Sequence, residues 1–289
     1  MIVSALKGGL GNQMFQYAMG YRMAKEHGVV FRTDTSWYAQ QAERTYELHH
    51  FCIEGLPLSL AEQQAVKPKA LRLHPRLGWL TRLLLRRIRY VQEAQFAFDP
   101  SILQSPAHSY FEGYWQTEKY FDTVTDAIHR QFQLAVPMTA SRQATAALME
   151  PVNAVAVHVR RGDYVTNAAA NAHHGTCSPE WYERAMSKMA AAVKDPHFFI
   201  FSDDPDWVRT HLAQKGPTHY VDPQTDKRDV EDLHLMARCR HNIIANSSFS
   251  WWGAWLNQSP GKRVIAPAKW FANSTMDTRD VIPSSWDKL

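Results

Sequence analysis

Two adjacent arginines at the end of an apolar segment are the residues of this chain best suited to bind an anion. Residues 154–159 are apolar and rich in β-branched side chains, which predicts a buried strand of a parallel sheet. Arg160 and Arg161 follow that strand, and open α/β sheets bind ligands outside the carboxyl ends of their strands. A guanidinium group binds two phosphate oxygens at once. Gly162 permits a turn, and we expect Asp163 to fix one arginine; a surface ion pair is the alternative.

A second predicted strand end carries Asn246, Ser247 and Ser248. Residues 242–245 predict a short strand, and the apolar run 249–256 predicts a buried helix directly after the serines. Asn and Ser are favoured at helix N-caps, and the exposed amides of a helix N-terminus attract phosphate. Two strand ends are therefore followed by groups that suit an anionic ligand.

A glycine-rich loop, residues 7–13, lies between a predicted strand and a predicted helix at the start of the chain. Gly9 and Gly11 match the first two glycines of the dinucleotide fingerprint, but Met14 replaces the third, which disfavours a nicotinamide enzyme. The Gly-Lys-Ser/Thr of a phosphate-binding P-loop is also absent. The loop still predicts a tight turn that lets the backbone approach a ligand.

Six segments, in order along the chain, resemble the α1,2-fucosyltransferase family, glycosyltransferase family 11. They are GGLGNQMFQYA at 8–18, GYWQTEKYF at 113–121, HVRRGDYV at 158–165, HGTCSPEWY at 174–182, FIFSDD at 199–204 and NSSFSWWGAWL at 246–256. HGTCS and the tryptophan-rich segment are most similar to bacterial members that build O-antigen or related surface sugars. The resemblance implies a GT-B-type fold, with two Rossmann-like α/β domains, the active site in the cleft and the donor in the C-terminal half.

The resemblance also implies roles in binding GDP-fucose. In α1,6-fucosyltransferases, which are similar in the donor half, an Asp at the spacing of Asp232 and the histidine matching His158 contact guanine. Arg160 then becomes the main diphosphate ligand and, with Asp163, a catalytic residue. Further donor-binding candidates lie in the same three loops and in the FSDD segment: Gly9, Gly11, Asn12, Gln13, Arg161, Ser202, Asp203, Asp204, Asn246, Ser247, Ser248 and Phe249.

The catalytic base does not transfer from those α1,6 enzymes, because Ala168 stands where they carry a Glu. Asp34 and Glu112 are candidates for a base from their position at predicted strand ends, and Trp115 and Gln116 are candidates for acceptor binding. A mechanism with little base assistance stays open, because fucose supports an oxocarbenium-like transition state.

The stretch Asp204-Pro205-Asp206 has the form Asp-X-Asp that metal-dependent transferases use. One interpretation makes Asp204 and Asp206 metal ligands. The other has Asp203 or Asp204 accept hydrogen bonds from ligand hydroxyls or backbone amides, while Asp206 starts a helix. The family resemblance implies a metal-independent enzyme, so we expect no metal and no cofactor apart from the co-substrate GDP-fucose.

The 289 residues predict two α/β halves, an acceptor-side domain at 1–146 and a GDP-fucose-binding domain at 147–289, with 133–146 as a linker or crossover. In the first half, helices are predicted at 14–26 and 118–132. The second half alternates regularly, which predicts a parallel sheet covered by helices. Its predicted strands are 154–159, 197–202, 218–222, 242–245 and 263–266, and its predicted helices are 179–193, 205–214, 229–239 and 248–257.

A net charge of +4 is too small to indicate a nucleic-acid partner. The three cysteines lack metal-site spacing and fit a reducing cytosol, and no signal peptide or membrane-spanning run stands out, so a cytoplasmic protein is predicted. The basic segment 67–89 combines arginines and lysines with leucines at helical spacing. This segment has two interpretations. It is either a helix in peripheral contact with the inner membrane face or a basic face exposed to solvent.

The family resemblance implies inverting transfer of L-fucose from GDP-β-L-fucose to the 2-hydroxyl of a terminal β-galactoside, and we take this as the predicted function. The acceptor would be a galactose-terminated oligosaccharide or a lipid-linked glycan in bacterial surface glycan synthesis. The alternative from another class is a non-catalytic sugar-binding protein that uses Trp115, Trp251, Trp252 and Trp255 as stacking platforms, although the apolar character of 249–256 favours a core helix.

Overall fold

The chain forms two compact α/β units, Met1–Ala135 and Val136–Leu289. The computed structural model describes residues 1–42, 44–66, 88–162, 175–212, 216–222, 229–272 and 275–289. Each unit is built on a parallel sheet, so the prediction of two Rossmann-like α/β domains is confirmed. The boundary lies before the predicted one at residue 146, because the helix Ala140–Met149 packs against the helix Asp229–Arg238 of the second unit. The stretch 133–146 is therefore only partly a linker.

The first unit has a five-stranded sheet in the order β3-β2-β1-β5-β4, with every neighbouring pair parallel. Its strands are β1 Ile2–Ala5, β2 Phe31–Asp34, β3 Leu56–Pro57, β4 Arg89–Gln92 and β5 Ser109–Glu112, and its α-helices are α1 Leu10–His27, α2 Leu60–Val66 and α3 Thr125–Gln131. Helix α1 packs on β1 and buries Met14, Phe15 and Tyr17. It ends at Gly28, whose left-handed backbone (φ 60°) lets its N–H donate to the Ala24 and Lys25 carbonyls.

Several first-unit elements differ from the predictions. Helix α1 begins at Leu10 rather than at residue 14, because Gly9 occupies the N-cap with an extended backbone. The predicted helix 118–132 is α-helical only over α3 and starts with two short 3₁₀ turns, the first capped by Thr117. The strands β3 and β4 and helix α2 were not predicted. Residues 67–87 of the basic segment lie outside the described residues, and Arg89, its last residue, begins strand β4.

The second unit has a six-stranded sheet in the order β11-β10-β9-β6-β7-β8, again with parallel neighbours. Its strands are β6 Asn153–Val159, β7 Pro196–Ser202, β8 Thr218–Val221, β9 His241–Ile243, β10 Val264–Ala266 and β11 Asp287–Lys288, and its helices are α4 Ala140–Met149, α5 Pro179–Ala192, α6 Pro205–His211, α7 Asp229–Arg238 and α8 Ser248–Leu256. This is the dinucleotide-fold strand order. The predicted alternation is confirmed with small shifts of the element ends, while α4 and β11 were not predicted.

Helix α8 is a core element of the second unit. Trp251 and Trp252 have no exposed surface, Trp255 is buried too, and the Trp251 indole donates to the Val281 carbonyl at 2.8 Å. The Lys262 ammonium donates to three carbonyls at the helix end, those of Ala254, Trp255 and Asn257. The alternative in which the α8 tryptophans are sugar-stacking platforms is therefore wrong, because their rings fill the interior.

Both sheets contain a point where the strand order reverses, and ligands bind at such points in open α/β sheets. In the first sheet β1 lies between β2 and β5, and in the second sheet β6 lies between β7 and β9. We call these two places the first and the second switch point. Across the part of the chain that the structure describes, none of the helices combines the length and the apolar surface needed to cross a membrane.

Candidate active site

The second switch point is dominated by ion pairs between the ends of β6 and β7. The Arg160 guanidinium (Nη1) lies 2.8 Å from Asp203 Oδ2, and the Arg161 backbone N–H donates to Asp203 Oδ1 at 2.8 Å. A Cβ atom at Gly162 would stand 2.5 Å from Asp203 Oδ2, so a larger residue here would displace this carboxylate. The arginine partner predicted from the sequence, Asp163, lies outside the described residues. Instead, Asp203, which directly follows the neighbouring strand β7, forms the ion pair with the arginine.

Arg161 is fixed against helix α6 rather than directed at an open site. Its Nε lies 3.1 Å from Asp204 Oδ2, and its guanidinium carbon lies 3.8 Å from the centre of the Trp207 ring. Asp204 also caps α6, since its Oδ1 accepts the Trp207 N–H at 3.2 Å. The Ser202 hydroxyl accepts the Asp204 N–H at 3.0 Å. Ser202 and Asp204 thus shape the turn between β7 and α6.

These contacts favour the alternative in which Asp204 serves the protein's own structure and Asp206 starts the helix. Both carboxylate oxygens of Asp204 are engaged by the helix cap and by Arg161, and Asp206 lies in the first turn of α6. No cluster of three or more His, Cys, Asp or Glu side chains suited to a metal ion occurs in the ranges given above. The positive charge at this place comes from the arginines.

His158, the last-but-one residue of β6, is a buried neutral imidazole. Burial lowers the pKa of His158 to about 4, and Asp203 opposes this shift while Arg160 adds to it. Its Nδ1 atom is buried without a hydrogen-bond partner. The ring lies 5.5 Å from the ring of Phe249, and the backbone carbonyl accepts the Tyr182 hydroxyl at 3.1 Å. The imidazole therefore keeps one unused hydrogen-bonding atom beside the switch point.

The segment after β9 lies at the second switch point, on the side of β6 opposite to β7. The Asn246 side chain donates to the carbonyls of Gly175 and Trp270, both at 3.3 Å. Ser247 is the N-cap of α8 with an extended backbone, and Ser248 and Phe249, the first two helical residues, are partly exposed. Asn246 therefore joins neighbouring segments, while the α8 N-terminus lies beside the end of β6.

Asp232 lies on α7 and pairs with an arginine of α4. Its Oδ1 lies 2.6 Å from Arg142 Nη2, an ion pair without the alignment of a hydrogen bond. Burial raises the pKa of the Asp232 carboxyl to about 7, and Arg142 opposes that rise. The adjacent Glu231 is fully buried and accepts both the Thr139 N–H and the Thr139 hydroxyl, which ties α7 to the start of α4.

At the first switch point, side-chain amides hold the glycine-rich loop. Gln13 is fully buried, its Nε2 donates to the Gly8 and Thr45 carbonyls, and its Oε1 accepts the Glu47 N–H at 2.9 Å. Gln13 therefore fixes the loop and is not available to a donor, contrary to its prediction. Asn12 Oδ1 accepts the Gln116 Nε2 at 2.8 Å, which links this loop to the segment after β5.

Gln16 makes a second link between these two loops and was not predicted. Its Oε1 accepts the Lys7 N–H at 2.9 Å, and its Nε2 donates to the Gly113 carbonyl at 3.1 Å. The sequence contains a signal that points to it, because Gln13 and Gln16 stand one helical turn apart in an otherwise apolar stretch. The loops after β1 and β5 are thus one hydrogen-bonded assembly.

Asp34 is a structural residue rather than a catalytic base. It is buried, its Oδ1 accepts the Ser36 N–H at 2.9 Å, and its Oδ2 accepts the Tyr110 hydroxyl at 3.0 Å. Glu112 is more accessible, with 32% of its side chain exposed and the Lys7 ammonium 4.0 Å from Oε1. Of the two base candidates, Glu112 alone keeps a carboxylate that is open to solvent.

Trp115 is fully buried and packs edge-on against Phe111 and Tyr120, so it is not a platform for sugar. Its neighbour Tyr114 is partly exposed, and the Lys7 ammonium lies 4.8 Å from the centre of the Tyr114 ring. Glu93, which no motif singles out, accepts the backbone N–H groups of Tyr114 and Trp115. Burial raises the pKa of the Glu93 carboxyl, and these two hydrogen bonds oppose the rise.

Comparison with known proteins gives consistent matches. The family model described as glycosyl transferase family 11 matches residues 89–288. An alpha-1,2-colitosyltransferase of Escherichia coli is 28% identical, covering 100% of this chain and 99% of the relative. The Escherichia coli O-antigen biosynthesis glycosyltransferase WbnK is 31% identical, covering 95% and 98%. The Mus musculus galactoside 2-alpha-L-fucosyltransferase Sec1 is 25% identical, covering 89% of this chain and 64% of the relative.

Proposed function

Since the chain belongs to glycosyl transferase family 11, we propose that it is a galactoside α1,2-fucosyltransferase. It transfers L-fucose with inversion from GDP-β-L-fucose to the 2-hydroxyl of a terminal β-galactoside during bacterial surface glycan synthesis. The observation that carries the proposal is the second switch point. There Arg160 and the N-terminus of α8 flank the end of β6 in a sheet with the dinucleotide-fold strand order.

The leaving group of this reaction is a diphosphate, whose negative charge grows as the sugar–phosphate bond breaks. Fixed cations and helix N-terminal amides stabilise such a charge without moving during the reaction. Arg160 is paired with Asp203 in this structure, so it binds the diphosphate by exchanging a carboxylate for a phosphate oxygen. Positive charge from the protein makes a metal ion unnecessary, and we propose a metal-independent reaction.

Two groups suit the recognition of guanine. His158 keeps an unpartnered Nδ1 atom near the Phe249 ring, where an additional hydrogen bond would satisfy a buried polar atom. The Asp232 carboxylate accepts two parallel N–H bonds from the guanine edge, and its side chain is 21% exposed beside Arg142. Both roles come from the resemblance to α1,6-fucosyltransferases.

The first unit is assigned the acceptor sugar. Glu112 is the remaining base candidate, since Asp34 is bound on both oxygens. A reaction with little base assistance is equally compatible with this unit, because the early loss of the diphosphate leaves a reactive oxocarbenium-like sugar. The acceptor is a galactose-terminated oligosaccharide or a lipid-linked glycan. A cytoplasmic location and contact of the basic segment 67–89 with the inner membrane face remain part of this proposal.

A second donor is favoured by one specific match. The relative named an alpha-1,2-colitosyltransferase aligns with the whole of this chain. Colitose is L-fucose without the 3-hydroxyl, so one pocket can accept either sugar if it makes no hydrogen bond to that hydroxyl. GDP-colitose is therefore the second candidate donor.

The test is a product analysis with purified protein, lactose as acceptor, and GDP-fucose and GDP-colitose as separate donors. We expect GDP release with GDP-fucose and a product whose NMR spectrum shows an α1,2 linkage to galactose. If GDP is released with GDP-colitose but not with GDP-fucose, the donor is GDP-colitose and the proposed donor is wrong. Binding of lactose without GDP release from either donor would instead support a non-catalytic sugar-binding protein.

A further inference from the structure

The first switch point contains a turn, residues 113–115, that is held by the carboxylate of Glu93. Glu93 directly follows β4 and the turn directly follows β5, the neighbouring strand. Its Oε2 accepts the Tyr114 N–H at 2.6 Å and its Oε1 accepts the Trp115 N–H at 3.0 Å. Its own backbone N–H donates to the Glu112 carbonyl at 2.9 Å. Glu93 thus binds the turn through both its side chain and its backbone.

The turn has an unusual backbone that needs this support. Trp115 has a φ of 56°, in the left-handed region that a bulky aromatic residue rarely adopts. Its carbonyl accepts the Thr117 N–H at 2.8 Å, and its ring is locked in the core. A Cβ atom at Gly113 would stand 2.5 Å from Glu93 Cβ, so this approach requires glycine. Strained residues that their surroundings fix in this way cluster at ligand sites.

The turn places chemically useful groups beside the glycine-rich loop. Tyr114 is 37% exposed and lies next to the Lys7 ammonium. Gln116 donates to Asn12, and the Gly113 carbonyl accepts from Gln16, so the turn and the loop after β1 form one unit. An aromatic ring with fixed amide groups around it suits a neutral ligand rich in hydroxyls, such as a sugar.

We propose that Glu93 is a positioning residue for the acceptor β-galactoside. It holds the turn 113–115 so that the exposed Tyr114 ring is set to contact the sugar. Glu93 itself acts through the turn, because both of its carboxylate oxygens accept backbone N–H groups. The inference rests on the proposed function, which supplies the galactoside.

The experiment compares Glu93→Gln with wild type in GDP-fucose:lactose transfer. The amide turns one acceptor oxygen into a donor that faces a backbone N–H, so the turn loses a hydrogen bond and its fixed position. We expect the KM for lactose to rise about tenfold or more, while the affinity for GDP measured by calorimetry is unchanged. Glu54→Gln is the matched control, because the Glu54 side chain is 61% exposed at the surface of the same unit.

A double-mutant cycle shows whether Glu93 acts through Tyr114. If it does, Tyr114→Ala raises the KM for lactose, and adding Glu93→Gln to Tyr114→Ala raises it little further. Additive effects would refute the positioning role, because they would show that Glu93 affects the protein independently of Tyr114. Should Glu93→Gln fail to fold, Glu93→Asp keeps both oxygens with a shorter reach, and a raised KM for lactose at constant GDP affinity is expected for it too.

Two further results separate the possible failures. Wild-type protein that makes no fucosylated lactose would refute the proposed function. An active wild type, with Glu93→Gln and Glu54→Gln showing the same KM for lactose, would leave the function intact and overturn the role of Glu93.

Discussion

Beside β6 the switch point is held by close ion pairs between neighbouring strands. Beside β1 buried side-chain amides and the Glu93 carboxylate bind backbone groups, and the Lys7–Glu112 contact is looser, at 4.0 Å. Arg160 and Asp203 form an ion pair at 2.8 Å that is partly open to solvent, with 24% and 26% of the two side chains exposed. Gln13 and Gln16 instead have their side-chain oxygen and nitrogen engaged by the protein itself. The two halves share a parallel fold but hold their loops by different kinds of contact.

The difference indicates what each place can bind. An exchangeable ion pair suits a ligand that carries charge of its own, since the cation then loses one anion and gains another. A saturated amide network has nothing to exchange, so recognition passes to the side chains that the network positions. On this view the second unit binds the diphosphate of the donor, and the first unit binds the uncharged hydroxyls of the acceptor.

The largest effect is expected for Arg160→Lys, which tests the charged half. Lysine keeps the positive charge but loses the planar fork that binds two oxygens. The loss of one such donor at a developing anion costs about 3 kcal/mol, or roughly a hundredfold in kcat. Steady-state kinetics on well-folded protein measure it, with Arg184→Lys on the exposed surface as control. Near-normal turnover of Arg160→Lys would show that Arg160 is not the residue that stabilises the diphosphate.

A smaller effect is expected for Asp232→Asn, which tests the base-binding side of the same half. The amide would point a donor at the N–H groups of guanine, and a mismatch of this kind costs about 1–3 kcal/mol in binding. Calorimetry with GDP should show weaker binding, while the KM for lactose changes little. Asp195→Asn, an exposed change elsewhere on the same unit, is the control. Unchanged GDP affinity would leave Asp232 with the sole role of pairing with Arg142.

The pH dependence of GDP binding sharpens that prediction. Burial raises the pKa of Asp232 to about 7, so the carboxyl is ionised above that pH and increasingly protonated below it. Only the ionised form accepts two N–H bonds. We therefore expect GDP affinity to fall between about pH 8 and about pH 6 in wild type and to vary less in Asp232→Asn.

Stability against acid tests the buried imidazole. Burial lowers the pKa of His158 to about 4, so the unfolded chain takes up a proton at a higher pH than the folded chain does. Stability from this group is complete above the ordinary histidine pKa and is lost as the pH falls toward about 4. From about pH 6.5 to about pH 5.5 the loss is about 1 kcal/mol. Urea unfolding of His158→Gln should show a weaker pH dependence than wild type, and the exposed His211→Gln should not.

The smallest effect is expected from EDTA. Arginine and helix amides provide the positive charge in the second unit, so turnover with GDP-fucose should be the same with and without the chelator. Loss of activity in EDTA that Mn²⁺ or Mg²⁺ restores would show that a metal ion takes part and that the charged half works differently.

The fold of the second unit follows closely from its sequence, because apolar strands and amphipathic helices alternate there with clear ends. Helix α4 was missed, since Pro137, Thr139 and Ser141 are residues typical of a linker. In the first unit the strands are short and β3 and β4 carry exposed residues, so their pattern is weak. The predicted helix 118–132 breaks into 3₁₀ turns because the backbones of Phe121 and Val124 leave the helical region.

The residues of the candidate site were easier to predict than their partners. His158 and Arg160 lie at the end of β6, and Ser247 follows the neighbouring strand β9, as their positions near predicted strand ends indicated. Sequence proximity suggested Asp163 for the arginine, but Asp203 binds it from a neighbouring strand, a contact between residues distant in sequence. Gln13 was predicted to bind the donor and Asp34 to serve as a base. The sequence could not show that their side chains are buried and bonded within the protein, because that depends on tertiary packing. Glu93 carries no motif, and its role depends on the pairing of β4 with β5.

The tryptophans of helix α8 also give the second unit an optical property of its own. The Trp251 ring is nearly parallel to the Trp255 ring, with 6.2 Å between their centres, and its centre lies 5.4 Å from that of Trp286. The Trp252 ring packs edge-on against Trp251. Transition dipoles of indoles at such distances couple, which produces a paired signal in circular dichroism. That signal depends on the ring geometry and disappears when the rings separate. It therefore reports unfolding of the second unit without any added label.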